Sequence, residues 1–305
     1  MKKFGINKSL CVLLVLHLFG FSTLAQERYV DEVFTDVTMQ TFSYAENLAL
    51  DFYQAKDDSI HSRPLLLLVH GGGFSGGKRD NPLEKKFSEA MAKKGFAVAS
   101  MSYRLLRKGK GFNCQTPAQE KIETFARAAE DVLQATSYIL ENSLSLGVDP
   151  QKIILVGSSA GAEAILHAAF MQKLPEFQNP SYAHVRYAGL ISFAGAMLNV
   201  DYISKENAVP SLFFHGKKDN LVPYKTASHH YCDKNAPGYL VLDGSKTIAK
   251  RLRYFEMAQT VAVDAQGNHD WANLAFAQTS VITSFIHTAI LNNAKPKKSI
   301  KLQRK

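Results

Sequence analysis

The chain has 305 residues, 46% of them hydrophobic and 21% charged, with a formal net charge of +9. That length is ample for a full core in one large domain or two small ones, and the composition is ordinary for a soluble globular protein. The basic excess sits at the two ends: Lys2, Lys3 and Lys8 at the start, and Lys295, Lys297, Lys298, Lys301, Arg304 and Lys305 at the finish. Setting those nine aside leaves 27 basic residues against 27 acidic ones. The body is therefore balanced and gives no ground for a nucleic-acid partner.

Residues 1–25 predict a secretory signal peptide. A basic start is followed by the apolar run Leu10–Phe21, and Thr23-Leu24-Ala25 places small residues ahead of Gln26. A membrane anchor is the competing reading, but the run is short for a span, so no stable membrane insertion is expected. Cys11 lies early in the apolar run and not beside a cleavage site, which argues against a lipid anchor. The expected location is exported, periplasmic or secreted, and the sequence does not separate the two. Two cysteines remain after cleavage, Cys114 and Cys232. In an exported chain such a pair points to one disulfide, with two separately buried thiols as the alternative. Neither has metal-ligand spacing, and no metal is expected.

Arg28–Thr41 reads as an extended lead-in. Leu48–Tyr53 alternates apolar and polar residues as a strand near a sheet edge does. Pro64–Val69 is a buried-strand run that ends in His70-Gly71-Gly72-Gly73. Leu83–Lys94 predicts a helix closed by Gly95, and Phe96–Tyr103 the next strand. Arg104–Gln115 is loop. Thr116 is placed as the N-cap of a long helix, with Pro117 at its first position and Gln119 completing a capping box. Gly147 and Asp149-Pro150 turn the chain into the run Ile153–Val156, and Ala160–Met171 is a helix. Strands are expected at Ala188–Phe193, Ser211–Phe214 and Thr260–Val263. One closing helix spans Ala272–Leu291, with Leu274, Phe276, Ala277, Val281, Phe285 and Ile286 as its inner stripe. Strand and helix alternate with no repeat or domain-sized linker. Residues 26–293 are thus one doubly wound α/β domain. Residues 294–305 form a basic C-terminal tail, read as a solvated, mobile terminus, with attraction to acidic glycans or anionic surfaces as the alternative.

The chemistry converges on Gly157-Ser158-Ser159-Ala160-Gly161. A buried strand stops at the first glycine, and a helix-forming run follows the second. This is the pattern of a tight strand-to-helix turn that lifts Ser159 above the sheet edge. The flanking glycines are needed because side chains there would collide across the turn. A serine hydroxyl needs a base, and the base an orienting acid. In a doubly wound sheet both sit on loops at the carboxyl ends of strands. Asp219 lies just past the strand Ser211–Phe214, and His269 follows the final strand at the head of the closing helix. Asp264 and Asp270 are the rival acids. Asp264 is awkwardly close in sequence for reaching His269 Nδ1, and Asp270 is adjacent and points elsewhere. His215 is expected to anchor the acid loop. His167 lies within a helix, and His229-His230, being adjacent, do not share a helix face for a metal. Donors for an oxyanion are expected from the N–H groups of Ala160, Gly72 and Gly73. A phosphate-cradling loop fails, because no Lys-Ser/Thr follows the glycines and no Gly-x-Gly-x-x-Gly spacing is present.

On these residues the chain resembles an α/β-hydrolase of the carboxylesterase and lipase group that carries a His-Gly-Gly-Gly motif. The motifs stand in the order glycine loop, Ser159, Asp219, His269, and the resemblance covers nearly all of the mature chain. It implies the α/β-hydrolase fold: an eight-stranded, mostly parallel, doubly wound sheet with helices on both faces. It also implies no cofactor, and hydrolysis through an acyl-enzyme on Ser159. Two features depart from the hormone-sensitive-lipase-like branch. Ser158 and Ala162 stand where that branch usually shows Asp and Gly, and 26–47 is too short for its helical cap.

Only Ala194–Pro210 lies where a lid usually sits, so the walls are expected from Arg104–Gln115 and from Met171–Arg186, with Leu174, Phe177 and Tyr182. An open site suits short-chain esters or bulky, carbohydrate-linked acyl esters (acetyl or feruloyl). Two other function classes stand beside the serine ester hydrolase. One is a peptidase resembling the catalytic domain of prolyl oligopeptidases, for whose propeller this chain has no room. The other is a catalytically silent hydrolase fold used for binding. The oligomeric state has no signature here.

Overall fold

The computed structural model describes Met1 and residues 26–303, so all but the first residue of the expected signal peptide, with Arg304 and Lys305, lies outside the described residues. The first half of the chain runs β1 (Val37–Ala45), β2 (Leu48–Ala55), β3 (Arg63–Val69), α1 (Pro82–Lys93), β4 (Ala97–Met101), α2 (Ala118–Glu141), α3 (Ser143–Leu146), β5 (Val148–Ser158) and α4 (Ala160–Phe170). The second half runs β6 (Gly189–Phe193), β7 (Ala196–Met197), β8 (Ser211–Gly216), β9 (Thr226–Ser228), β10 (Val241–Gly244), α5 (Ser245–Tyr254), β11 (Gln259–Asp264), α6 (Trp271–Leu274), α7 (Thr279–Phe285) and β12 (Lys297–Lys301).

A single mixed sheet organises the molecule, in the order β1-β2-β4-β3-β5-β6-β8-β11-β12. β1 and β2 are antiparallel to each other and β2 to β4; every later pairing is parallel. The apolar runs divide between two cores by the two-residue period of a strand. Leu65, Leu67, Ile153 and Leu155 pack on one face with α2 and α4, through residues such as Phe125, Val132 and Ile165. Leu66, Leu68, Ile154 and Val156 pack on the other with α1 and α7, through Phe87, Met91 and Phe285. Helices on both faces explain why these strands read as unbroken apolar runs.

Several expectations are corrected. The sheet has nine strands, not eight: the extra one is β12, formed by residues of the basic tail and paired parallel to β11. Charge counting overlooks Ile300 and Leu302, which pack on the second core and draw the stretch onto the sheet edge. β2 does lie near the sheet edge, one strand in, with β1 outside it. Thr116 does not cap α2. Pro117 occupies the cap position with no side-chain bond, and Thr116 Oγ1 accepts from Asn113 N–H at 3.2 Å in the preceding turn. The single closing helix is broken, its two parts meeting at 77°. That bend lets Trp271, Phe276, Phe285 and Ile286 reach one core, while Leu274 and Ala277 turn outward. Residues 217–254, to which no strand or helix is assigned above, carry β9, β10 and α5, and β7-β10-β9 form a separate three-stranded sheet. No single helix among the described residues is long and apolar enough to cross a membrane.

Cys114 and Cys232 are joined in a disulfide. It ties the loop between β4 and α2 to the excursion between β9 and β10. Closing so long a loop restricts the unfolded chain, so the double variant Cys114→Ser/Cys232→Ser should lose about 2–5 kcal/mol of unfolding free energy. Equilibrium denaturation of the variant beside the wild type measures it, and superimposable curves would mean that packing alone holds the two segments.

Candidate active site

Ser159 sits between β5 and α4 with φ 49° and ψ −119°, a conformation in which a side chain is strained and only surrounding structure holds it. The flanking glycines make the turn sterically possible. A Cβ on Gly157 would lie 2.5 Å from the Gly161 carbonyl oxygen across the turn, and one on Gly161 would lie 2.1 Å from the Val69 carbonyl oxygen of β3. The turn is then tied to its neighbours. Ser159 N–H donates to Phe193 O at 2.9 Å, and Ser158 Oγ donates to Ala272 O at 2.8 Å.

The structure brings Ser159, His269 and Asp219 into one hydrogen-bonded line. Ser159 Oγ lies 2.8 Å from His269 Nε2, and His269 Nδ1 lies 2.8 Å from Asp219 Oδ2. Adjacent strands deliver the last two, because β8 and β11 are paired. Their following loops are locked by Lys218 N–H donating to Gly267 O at 2.8 Å. Such close passage requires a glycine: a Cβ on Gly216 would sit 2.3 Å from Asn268 O. Asp219 Oδ1 accepts from Leu221 and Val222 N–H, each at 2.9 Å. His215 Nε2 approaches Oδ2 at 3.3 Å. Burial alone would raise this carboxyl, but the side-chain bonds from His215 and His269 outweigh it and hold Asp219 well below the usual carboxylate range. His215 is itself fixed by Ser245 Oγ at 2.8 Å and Val222 O at 3.1 Å, in the anchoring position expected of it. Of the rival acids, Asp264 accepts from Trp271 Nε1 at 3.1 Å, and Asp270 stands at the N-cap of α6.

The glycine loop meets this line from β3. His70 is buried, stacked on Tyr103 with ring centroids 4.5 Å apart, and its Nδ1 lies 2.7 Å from Gly71 O. Tyr103 OH donates to His70 O at 3.1 Å. Gly72 and Gly73 hold φ of 121° and 60°, open to glycine at little strain. Both line the cavity that contains Ser159 and Ala160. Ala160 N–H, at the first position of α4, has no carbonyl of its own helix to bond.

That cavity, about 640 Å³, has walls the sequence only partly indicates. Residues 104–115 contribute Phe112. Residues 171–186 do not line it: Phe177 stacks on His167 instead, with centroids 5.2 Å apart. The missing wall is the excursion after Asp219, with Leu221, Val222, His229 and His230, and Leu83 and Glu84 of α1 close another side. Glu163 and His229 line the cavity too, and no motif marks them. The one usable signal for the excursion is Cys232, whose pairing with Cys114 brings His229-His230 against Phe112.

Three histidines near the cavity resist protonation, through burial above all. His167 is pushed down to about 4 and His229 and His230 each to about 3. The unfolded chain therefore takes up protons near pH 6.5 that the folded chain refuses. Stability from these groups is complete above that pH and falls as pH drops towards 4. Glu163 and Glu84, both raised by burial, work in the opposite sense, but His70, also lowered by burial, joins the three imidazoles and keeps them in the majority. Thermal unfolding should show Tm falling steadily from pH 7 to 4.5, and a flat or rising Tm would contradict this.

A family model described as BD-FAE matches residues 50–197. That stretch contains the glycine loop and the Ser159 turn but neither Asp219 nor His269. The chain is 32% identical over 124 residues to fumonisin B1 esterase of Sphingopyxis macrogoltabida, covering 39% of this chain and 22% of that protein. It is 36% identical over 97 residues to lipase 2 of Moraxella sp. (strain TA144), covering 32% and 19%. The chain thus spans about a fifth of the length of these curated relatives. Among solved structures, Thermogutta terrifontis esterase 2 phosphorylated by paraoxon aligns with TM-score 0.60 at 18% identity, over 89% of this chain and 100% of that one. The butyrate-bound form of the same esterase aligns with TM-score 0.58 over 82% and 93%. Likeness at that identity speaks for the fold alone, while the local matches fall on named esterases and lipases. Residues 50–197 thus carry the likeness to the BD-FAE family, local stretches match named esterases and lipases, and the chain as a whole has the α/β-hydrolase fold.

Proposed function

We propose that the protein is a serine carboxylic-ester hydrolase that works through an acyl-enzyme on Ser159. The observation that carries this reading is the line Ser159 Oγ–His269 Nε2–Asp219 Oδ2, with both contacts at 2.8 Å, set beside the glycine loop. In this scheme Ser159 Oγ attacks the ester carbonyl as His269 Nε2 takes its proton. Asp219, kept ionised by its donors, holds the imidazole in register and balances the charge that forms on it. The N–H groups of Ala160, Gly72 and Gly73 receive the oxyanion, each donor lowering the barrier by about 3–4 kcal/mol. His269 then returns the proton to the leaving alcohol, and a water activated by the same imidazole cleaves the acyl-enzyme.

Short-chain or carbohydrate-linked acyl esters are the proposed substrates. The connection from β6 to β8 is short, with only β7 and a single turn of 3-10 helix within it. It builds no cap over the cavity mouth, which favours access for esters carried on a polymer. An exported location is part of the same proposal, and the Cys114–Cys232 disulfide supports it, since such bonds persist in oxidising compartments.

Hydrolysis of p-nitrophenyl acetate, butyrate and octanoate tests the reading, beside acetate release from an acetylated xylan. Ser159→Ala should lower kcat by roughly 10³-fold or more, and Asp219→Asn by a comparable amount with the fold intact. Paraoxon should inactivate the wild type by placing one diethylphosphoryl group on Ser159, as mass spectrometry of the peptide would show. Undiminished hydrolysis by Ser159→Ala would sink the mechanism. Turnover of a proline-containing peptide with no ester hydrolysis would favour the peptidase class instead.

A further inference from the structure

Glu163 lies one turn of α4 beyond Ser159, on the same helix face and ~6 Å along the axis. It is 2% exposed and His229 is 1% exposed, yet both line the cavity that holds Ser159 and His269. Glu163 Oε1 comes within 3.2 Å of His229 Nε2. The approach lacks hydrogen-bond geometry, however. That oxygen and both ring nitrogens of His229 have no hydrogen-bond partner among the described residues. Native interiors satisfy roughly nine in ten such groups, so three orphans on two residues that line one cavity call for an explanation.

The surroundings restrict what would satisfy them. Phe112 and Phe125 stand edge-on to His229, with centroids 5.4 and 5.9 Å away. Lys121, the nearby cation, donates to Gly238 O at 2.7 Å. Burial raises the Glu163 carboxyl well above its usual range, against the opposing pull of His269 and Lys121, and lowers His229 to about 3. Burial therefore favours the uncharged form of both groups. Together they offer hydrogen-bond donors and acceptors but no compensating charge. A group that both donates and accepts while staying neutral fits them; a carboxylate or an ammonium would be desolvated without a counter-charge.

The geometry points to Glu163 and His229 as the recognition site for a substrate hydroxyl lying a few bonds from the scissile carbonyl, on either the acyl or the alcohol half. This rests on the ester-hydrolase reading above and specifies its substrate. A pocket built to bond a hydroxyl penalises the analogue that lacks one, because its own polar groups are then left unpaired.

Two matched pairs distinguish the halves. p-Nitrophenyl butyrate against p-nitrophenyl 3-hydroxybutyrate probes the acyl side, and cyclohexyl acetate against the monoacetate of cyclohexane-1,2-diol probes the alcohol side. The wild type should favour the hydroxylated member of one pair by at least ~10-fold in kcat/KM. In Glu163→Leu and His229→Leu that ratio should fall to about one. Glu163→Gln, which keeps the shape with one donor and one acceptor, should retain part of it. Each ratio is formed within one variant, so a general loss of activity cancels. No preference by the wild type in either pair would overturn the assignment, and that arm needs no variant. So would a preference that survives both leucine variants, or complete loss of turnover in all three, which would place the pair in the fold or the chemistry. Failure of the underlying reading appears separately, as p-nitrophenyl butyrate hydrolysis that survives Ser159→Ala.

Discussion

How closely the backbone of α4 can approach the end of β3 decides whether this site exists. At Gly161 the two main chains leave no room for a side chain, a Cβ there falling 2.1 Å from Val69 O and 2.6 Å from His70 O. The contact sets the start of α4 directly beside the glycine loop that continues β3. Ser159, Ala160 N–H and Gly71–Gly73 consequently face one cavity. The strain at Ser159, with its φ of 49°, is held by this packing and by the bond to Phe193 O. It is the sort of local cost that surrounding structure must over-determine.

Electrostatics then divides two buried carboxyls that share the site. Asp219 receives two backbone N–H donors and two imidazoles, so it stays ionised although buried. Glu163, just as buried, has an orphaned oxygen, and burial raises its carboxyl well above the usual range. Environment alone separates them, and pairs of titratable groups pushed apart in this way mark distinct jobs within a site. The negative charge of Asp219 is held behind His269.

The basic end of the chain shows a different balance. Ile300 and Leu302 anchor β12 against the second core, and Lys298 and Lys301 remain exposed. Lysines on an edge strand discourage another chain from pairing with it. The stretch that looks like a solvated tail by charge is also the strand that closes this side of the sheet.

What the sequence by itself determined is everything carried by short-range pattern. Apolar runs of strand length, interrupted by glycine where the chain must turn, disclose the buried strands, the Ser159 turn and the glycine loop. The order of Ser159, Asp219 and His269 after successive strands indicates which residues meet, because strand ends share one edge of the sheet. The tertiary structure decided what depends on long-range contact. Thr116 loses its capping role because its hydroxyl serves Asn113, and the closing helix bends because its apolar residues must reach one curved core. The excursion after Asp219 becomes a cavity wall because a disulfide draws it to the loop bearing Phe112. No motif marks Glu163, and only burial among groups distant in sequence raises its carboxyl beside Ser159.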